Sequence, residues 1–82
     1  MKLVTFQHPH RREPRLGIVY GEYVIDGNMA YTVLLSEEGE EDPDVLANAL
    51  LPSNMISFLR RGRRAFEAAE RVLFKARSFI NM

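Results

Sequence analysis

Two stretches near the N-terminus decide the fold, MKLVTF at residues 1–6 and RLGIVYGEYVIDG at residues 15–27. Side chains of the first stretch alternate between two faces, as in a β-strand. The second stretch holds apolar runs at residues 16–20 and 23–26, separated by Gly21-Glu22, and a glycine at the first central position suits a type II′ hairpin turn. Because a hairpin alone is marginally stable, we expect the first strand to complete a three-stranded antiparallel sheet.

From residue 29 onward the apolar residues follow helical spacing and predict three or four short helices after the sheet. Asp26-Gly27-Asn28 offers N-cap chemistry for a helix over residues 29–36. Asp42-Pro43 opens a second helix, since proline suits the first helical position, and Pro52 ends it. The apolar face predicted for this second helix consists of Val45, Leu46, Ala49 and Leu50.

The third and fourth predicted helices meet at Gly62. Ser53 is placed to cap the third helix, and Gly62 suits its C-terminal end. On the last helix we expect Glu67 and Arg71, four residues apart, to form an exposed ion pair. The apolar stripe of that helix consists of Phe66, Ala69, Val72, Leu73, Ala76 and Ile80.

Size and composition indicate one small α+β domain over residues 1–82. A single core of this length supplies only about 3–5 kcal/mol, so we expect it to dock on a partner subunit or domain. The chain has no cysteine, which excludes disulfides and fits a reducing compartment. No apolar run approaches the roughly 20 residues of a membrane span, and no signal peptide is evident. We therefore expect a cytoplasmic protein with no membrane partner.

The formal net charge is zero, but the charges are segregated along the chain. Residues 36–44 contain six acidic residues and no basic ones, whereas residues 45–82 contain seven basic residues against two acidic ones. Segregation of this kind describes surfaces and their partners rather than the fold.

Five elements in fixed order carry a resemblance to a known family. They are MKLVTF, RLGIVYGEYVID, the helix near residue 30, LPSNMISFLRRG at residues 51–62, and a final helix rich in alanine and arginine. Together they resemble the N-terminal domain of the fumarylacetoacetate hydrolase family, in its bacterial and archaeal two-domain type. The motifs are short and mostly structural, and they span nearly the whole chain. The resemblance implies that residues 1–82 form a non-catalytic domain and that the catalytic domain is absent from them.

In that family the catalytic domain is a β-rich roll that holds Mg²⁺ or another divalent cation through an E-x-E pair and an aspartate. The resemblance implies a parent enzyme that hydrolyses, isomerises or decarboxylates substrates of the 2-oxo-acid type, by Lewis-acid polarisation and general base chemistry. The N-terminal domain would pack against the roll, cover part of its entrance or support oligomer contacts. The implied partners are the catalytic domain of the same polypeptide and, in a homodimer, a second subunit.

Two segments imitate the catalytic motifs of that family. Glu38-Gly39-Glu40 is formally E-x-E but lies in an acidic stretch, and His10 to Glu13 is formally H-x-x-E but lacks the preceding Asn-Tyr. His8 and His10 alone do not supply the three or four converging ligands of a metal site. The acidic residues 37–44 lack the spacing of a calcium loop, so we expect a solvated linker. We assign no catalytic, cofactor-binding or metal residue to this chain.

Arg60, Arg61, Arg63 and Arg64 are the strongest non-structural feature and support an alternative function. They would suit a stand-alone module that binds a protein or contacts nucleic-acid phosphates. The nucleic-acid footprint is incomplete, because no aromatic residues interleave with the arginines and the chain is neutral overall. We therefore do not expect nucleic acid to be the principal partner. The aromatic residues expected in the core or a docking surface are Tyr20, Tyr23, Phe58, Phe66 and Phe79.

Overall fold

The computed structural model describes residues 1–80, apart from the side chain of Ile80. The strands are β1 (Lys2–Phe6), β2 (Arg15–Tyr20) and β3 (Tyr23–Asp26), and the helices are α1 (Gly27–Glu37), α2 (Pro43–Leu50), α3 (Met55–Arg61) and α4 (Arg63–Ile80). A three-stranded antiparallel sheet followed by four helices within residues 1–80 confirms the predicted α+β class.

The central strand of the sheet is β2, which pairs with β1 on one side and β3 on the other. Ile18 lies opposite Leu3 in β1 and opposite Ile25 in β3, so these three side chains share one face. The turn between β2 and β3 contains Gly21 with a φ of 59°, the left-handed conformation expected of a glycine in the predicted hairpin turn. Both edges of the sheet, β1 and β3, are antiparallel to β2.

The hydrophobic core lies between one face of the sheet and the four helices. Leu16 and Ile18 of β2 are fully buried there, and Phe58 of α3 and Val72 of α4 reach the same core. Helix α1 contacts both β2 and β3 and packs on α2 and α4. Small side chains also belong to this core, and the buried alanines are Ala47, Ala65, Ala68 and Ala69.

A buried polar network joins the ends of β2 and β3 to the start of α1. The Arg15 guanidinium donates to both carboxylate oxygens of Asp26, from Nε at 2.7 Å and from Nη2 at 3.2 Å. These two side chains are only 11% and 13% exposed. Asp26 Oδ1 also accepts a hydrogen bond from the Met29 backbone N–H, which confirms the predicted N-cap of α1.

Asn28 extends this network to the connection between α2 and α3. Its Oδ1 accepts from Arg15 Nη2 at 3.4 Å, and its Nδ2 donates to the Leu51 carbonyl at 2.9 Å and to Asn48 Oδ1 at 3.0 Å. A further bond runs from the Leu16 N–H to the Ser53 carbonyl at 2.7 Å. The stretch after α2 is therefore fastened to the sheet where β3 ends.

Two details of the predicted helix ends and faces are wrong. Asn54, not Ser53, caps α3, because the Asn54 side chain accepts a hydrogen bond from the Ser57 backbone N–H at 3.0 Å. The Ser53 carbonyl instead accepts a hydrogen bond from the Leu16 N–H of the sheet. In α2, Val45 and Ala49 are exposed and Ala47 is buried instead. The predicted start at Pro43 and the predicted end of α3 at Gly62, with a φ of 69°, are confirmed.

The predicted pairing of Glu67 with Arg71 on α4 is also wrong. Arg71 turns instead toward α1, where its Nη2 donates to Glu38. The neighbouring α1 contact is made by Lys75, whose Nζ lies 3.4 Å from Glu37 Oε2. Spacing within α4 can predict only partners on the same helix, so it could not predict that Arg71 pairs with Glu38. Ile80 was predicted to belong to the apolar stripe of the last helix, but its side chain is outside the part of the chain that the structure describes.

Replacing Asn28 with alanine should destabilise the fold by about 1–3 kcal/mol, because it leaves Arg15 and the buried Leu51 carbonyl with fewer partners. Urea unfolding followed by circular dichroism measures this loss. The matched control is Asn48→Ala, which removes one contact of an exposed side chain and should cost less than about 1 kcal/mol. Equal losses for the two variants would contradict the role given to Asn28.

Candidate functional site

The four arginines singled out in the sequence lie together at the junction of α3 and α4. Arg60 and Arg61 occupy the last turn of α3, Gly62 turns the chain, and Arg63 and Arg64 begin α4. All four are exposed, and none forms an ion pair with another described residue. We call Arg60, Arg61, Arg63 and Arg64 the arginine corner.

The helix dipoles explain only half of the arginine corner. Arg60 and Arg61 lie at the C-terminal end of α3, where positive charge is favourable. Arg63 and Arg64 lie at the N-terminal end of α4, where the dipole opposes positive charge. The placement of these two arginines is therefore not explained by the dipole of their own helix.

Apolar side chains stand beside the arginine corner on α3. Ile56 is 62% exposed and Leu59 is 54% exposed. With Arg60 they follow the i, i+3, i+4 spacing that places residues on one helix face. Phe58, on the opposite side, is buried against Phe66, with ring centroids 5.1 Å apart. The arginine corner therefore combines positive charge with neighbouring exposed apolar side chains.

A groove of about 580 Å³ runs between α1 and α4. Its residues are Leu34, Glu37 and Glu38 of α1 and its C-terminal end, and Glu67, Glu70, Arg71, Phe74 and Lys75 of α4. At one end it continues into an apolar section of about 300 Å³, lined among others by Ile25, Val33 and Phe79. Phe74 lines the groove and is 73% exposed, the largest value among the exposed large apolar residues. We call the whole feature the α1–α4 groove.

The charges of the α1–α4 groove are only partly paired. The pKa of Arg71 is raised above its ordinary value, first by the hydrogen bond to Glu38 and also by the charge of that carboxylate and by Tyr31, against the opposing effect of burial. Its guanidinium lies 5.9 Å from the centre of the Tyr31 ring. Lys75 pairs with Glu37. Glu67 and Glu70 form no ion pair within residues 1–80, so the groove keeps an excess of negative charge.

The outer face of the sheet, turned away from the core, is a second apolar surface. A Cβ built on Gly17 would lie 2.6 Å from Val24 Cγ1, 2.9 Å from Phe6 Cδ1 and 3.1 Å from Val4 Cγ2. These three side chains therefore close over Gly17, and Val24 is 50% exposed. Val19, opposite Val24 in the register, shares this face. We call Val4, Phe6, Val19 and Val24 the outer sheet face.

The two segments that resemble catalytic motifs, Glu38-Gly39-Glu40 and His10 to Glu13, do not form a common site among the described residues. His8 and His10 lie in the loop after β1, where the His10 backbone N–H donates to His8 Nδ1 at 3.0 Å. Glu38 pairs with Arg71, and Glu40 belongs to the exposed turn after α1. Among the described residues no three histidines, cysteines or acidic residues are grouped to hold a metal ion. The described residues therefore do not fit the divalent cation that the resemblance implies for the catalytic domain.

The aromatic residues expected in the core or a docking surface divide between the two. Phe58 is buried and Tyr20 is partly buried, whereas Phe66 (38%), Tyr23 and Phe79 are exposed. Sequence reasoning placed Glu67 on the exposed face of α4 but missed Glu70 and Phe74 as surface features. Their signal was the helical spacing from Arg63, which places Arg63, Glu67, Glu70 and Phe74 on one side of α4.

No protein-family model matches the chain, and no similar curated protein or solved structure was found. Within the described residues no helix is long and apolar enough to span a membrane.

Proposed function

We propose that this chain is the non-catalytic N-terminal domain of an enzyme of the fumarylacetoacetate hydrolase family, and that it works by packing against the catalytic roll. The parent enzyme would carry out metal-dependent hydrolysis, isomerisation or decarboxylation of 2-oxo-acid substrates in the cytoplasm. Its metal ligands would belong to the catalytic domain, and the present residues would take part in domain packing or in contacts of a homodimer.

The observation that carries this proposal is the outer sheet face. Helices cover one face of the sheet, whereas Val4, Phe6, Val19 and Val24 leave an apolar surface on the other. Contiguous apolar surface of this kind on a small domain marks an interaction site, because domains are built by packing such layers together. A catalytic roll rich in β-structure would supply the missing layer.

The contacts between the two family-like motifs also support the proposal. Leu16 of the R-L-G motif donates to the carbonyl of Ser53 in the L-P-S-N-M motif. The buried Leu51 carbonyl of the second motif accepts from Asn28, which holds Arg15 of the first. The two motifs are thus parts of one structural unit, which gives their order and spacing a physical reason.

The experiment measures binding of this chain to the catalytic domain encoded with it, expressed separately, by isothermal titration calorimetry. Val24→Glu places a charge on the outer sheet face and should weaken binding at least about tenfold, because an unpaired charge is costly to bury. The matched control is Val45→Glu on α2, the same change at an exposed valine far from the sheet in sequence, which should bind within about twofold of the parent.

Two results would contradict the proposal. One is equal binding by Val24→Glu and Val45→Glu. The other is a reading frame whose continuation encodes no domain with an E-x-E pair, an aspartate ligand and an Asn-Tyr…His…Glu segment. If the proposal is correct, the separately expressed catalytic domain has Mg²⁺-dependent activity, and the present chain shows neither this activity nor specific Mg²⁺ binding.

The second candidate function is nucleic-acid binding, which the four unpaired arginines of the corner favour. Fluorescence anisotropy with labelled single-stranded RNA and DNA tests it. We expect dissociation constants no tighter than the non-specific range of about 10⁻⁴ to 10⁻⁶ M at physiological salt. Tighter binding that salt weakens, that Arg60→Ala/Arg61→Ala/Arg63→Ala/Arg64→Ala abolishes and that Arg11→Ala/Arg12→Ala preserves would establish this function instead.

A further inference from the structure

Unpaired charges of opposite sign stand one turn apart on α4. Arg63 and Arg64 precede Glu67 by four and three residues, the spacing at which side chains of one helix can pair. The structure shows no ion pair among them, and Glu70 is also without one in the described part of the chain. These charges are therefore available to a partner.

The charges share a helix face with an exposed aromatic ring. Arg63, Glu67, Glu70 and Phe74 follow the i, i+4, i+7, i+11 spacing, which lines up side chains along one side of a helix. The last three line the α1–α4 groove, and Arg63 belongs to the arginine corner. Arg63 of the arginine corner thus follows directly on the groove residues along one side of α4.

A surface with this order of charges is complementary to a copy of itself. When two such α4 helices lie antiparallel about a two-fold axis between Arg63 and Glu70, the arginines of each copy oppose the glutamates of the other. Each contact occurs twice, and the assembly closes as a dimer.

We infer that a second copy of this chain docks on the α1–α4 groove through its arginine corner and forms a two-fold symmetric dimer. The charge pattern favours this occupant over nucleic acid, because Glu67 and Glu70 repel phosphates at the same surface. The chain as a whole is neutral, so a second copy brings matching charges in equal number. The proposed function includes contacts of a homodimer, and this inference rests on it in naming the surface that makes them.

Sedimentation velocity of the full chain tests the dimer over protein concentrations from about 10 μM to 1 mM. At low salt the mass should rise from 9.5 kDa toward twice that value. Because exposed ion pairs are screened, an increase from about 50 to 500 mM salt should weaken the dimer at least tenfold. Mass that stays at that of the monomer throughout would overturn the inference.

Charge reversal identifies the surface. Arg63→Glu/Arg64→Glu and Glu67→Arg/Glu70→Arg should each weaken the dimer at least about tenfold, through repulsion between like charges. An equimolar mixture of the two variants should restore a dimer, now of unlike chains. The matched control, Glu40→Arg/Glu41→Arg, reverses two exposed carboxylates outside the groove and should leave the dissociation constant within about twofold.

Phe74→Ser is a second test of this surface, because it removes an exposed aromatic ring and changes no charge. It should also weaken the dimer, while circular dichroism confirms the fold of every variant. A mixture that associates no better than its components, or a dimer that Phe74→Ser leaves unchanged, would overturn the inference. Domain docking is tested separately at Val24, so failure of the dimer leaves the outer sheet face intact as the docking surface, and the reverse also holds.

Discussion

The buried ion pair between Arg15 and Asp26 is the contact on which the rest of this small structure depends. An ion pair with so little exposure is costly unless its remaining hydrogen-bonding groups are satisfied. Here Asp26 accepts from two guanidinium nitrogens and caps α1, and Arg15 also reaches Asn28. Within the described residues no buried side-chain nitrogen or oxygen lacks a partner. One network therefore sets where β2 begins, where β3 ends and how α1 leaves the sheet.

That geometry determines which surfaces remain open. Because Asn28 and Leu16 fasten the stretch after α2 to the sheet, all four helices lie toward the same face of β2. On the opposite face Val4, Phe6 and Val19 stay partly exposed and Val24 is 50% exposed, and α4 presents its charged side beside α1. A scaffold fixed by a polar network thus carries two separate surfaces, the outer sheet face and the charged α1–α4 groove.

The parts of this fold that the sequence predicted are those with local causes. Gly21, Pro43 and Gly62 each act through their own backbone, and the alternation in β1 and β2 reports directly which side faces the core. The same holds for the arginine corner, whose members are neighbours in the chain. The family resemblance rests on the order of such local signals.

The remaining features depend on contacts between residues far apart in the sequence. Arg15 is expected on the surface from its type alone, yet the register places it beside Asp26. Helical spacing offered Arg71 a partner in Glu67, but α1 supplied Glu38 instead. Val45 fitted the apolar pattern of α2 and is exposed, because Ala47 occupies the close approach to the core. The groove arises from the packing of α1 on α4, and no single segment contains it.

The most direct measurement of the dependence on the buried pair is a double-mutant cycle with Arg15→Met and Asp26→Asn. Asparagine preserves the cap of α1, so the cycle isolates the interaction with the guanidinium. Urea unfolding should give a favourable coupling of about 1–3 kcal/mol between the two positions. Losses that add to within about 0.5 kcal/mol would contradict the central place given to this ion pair.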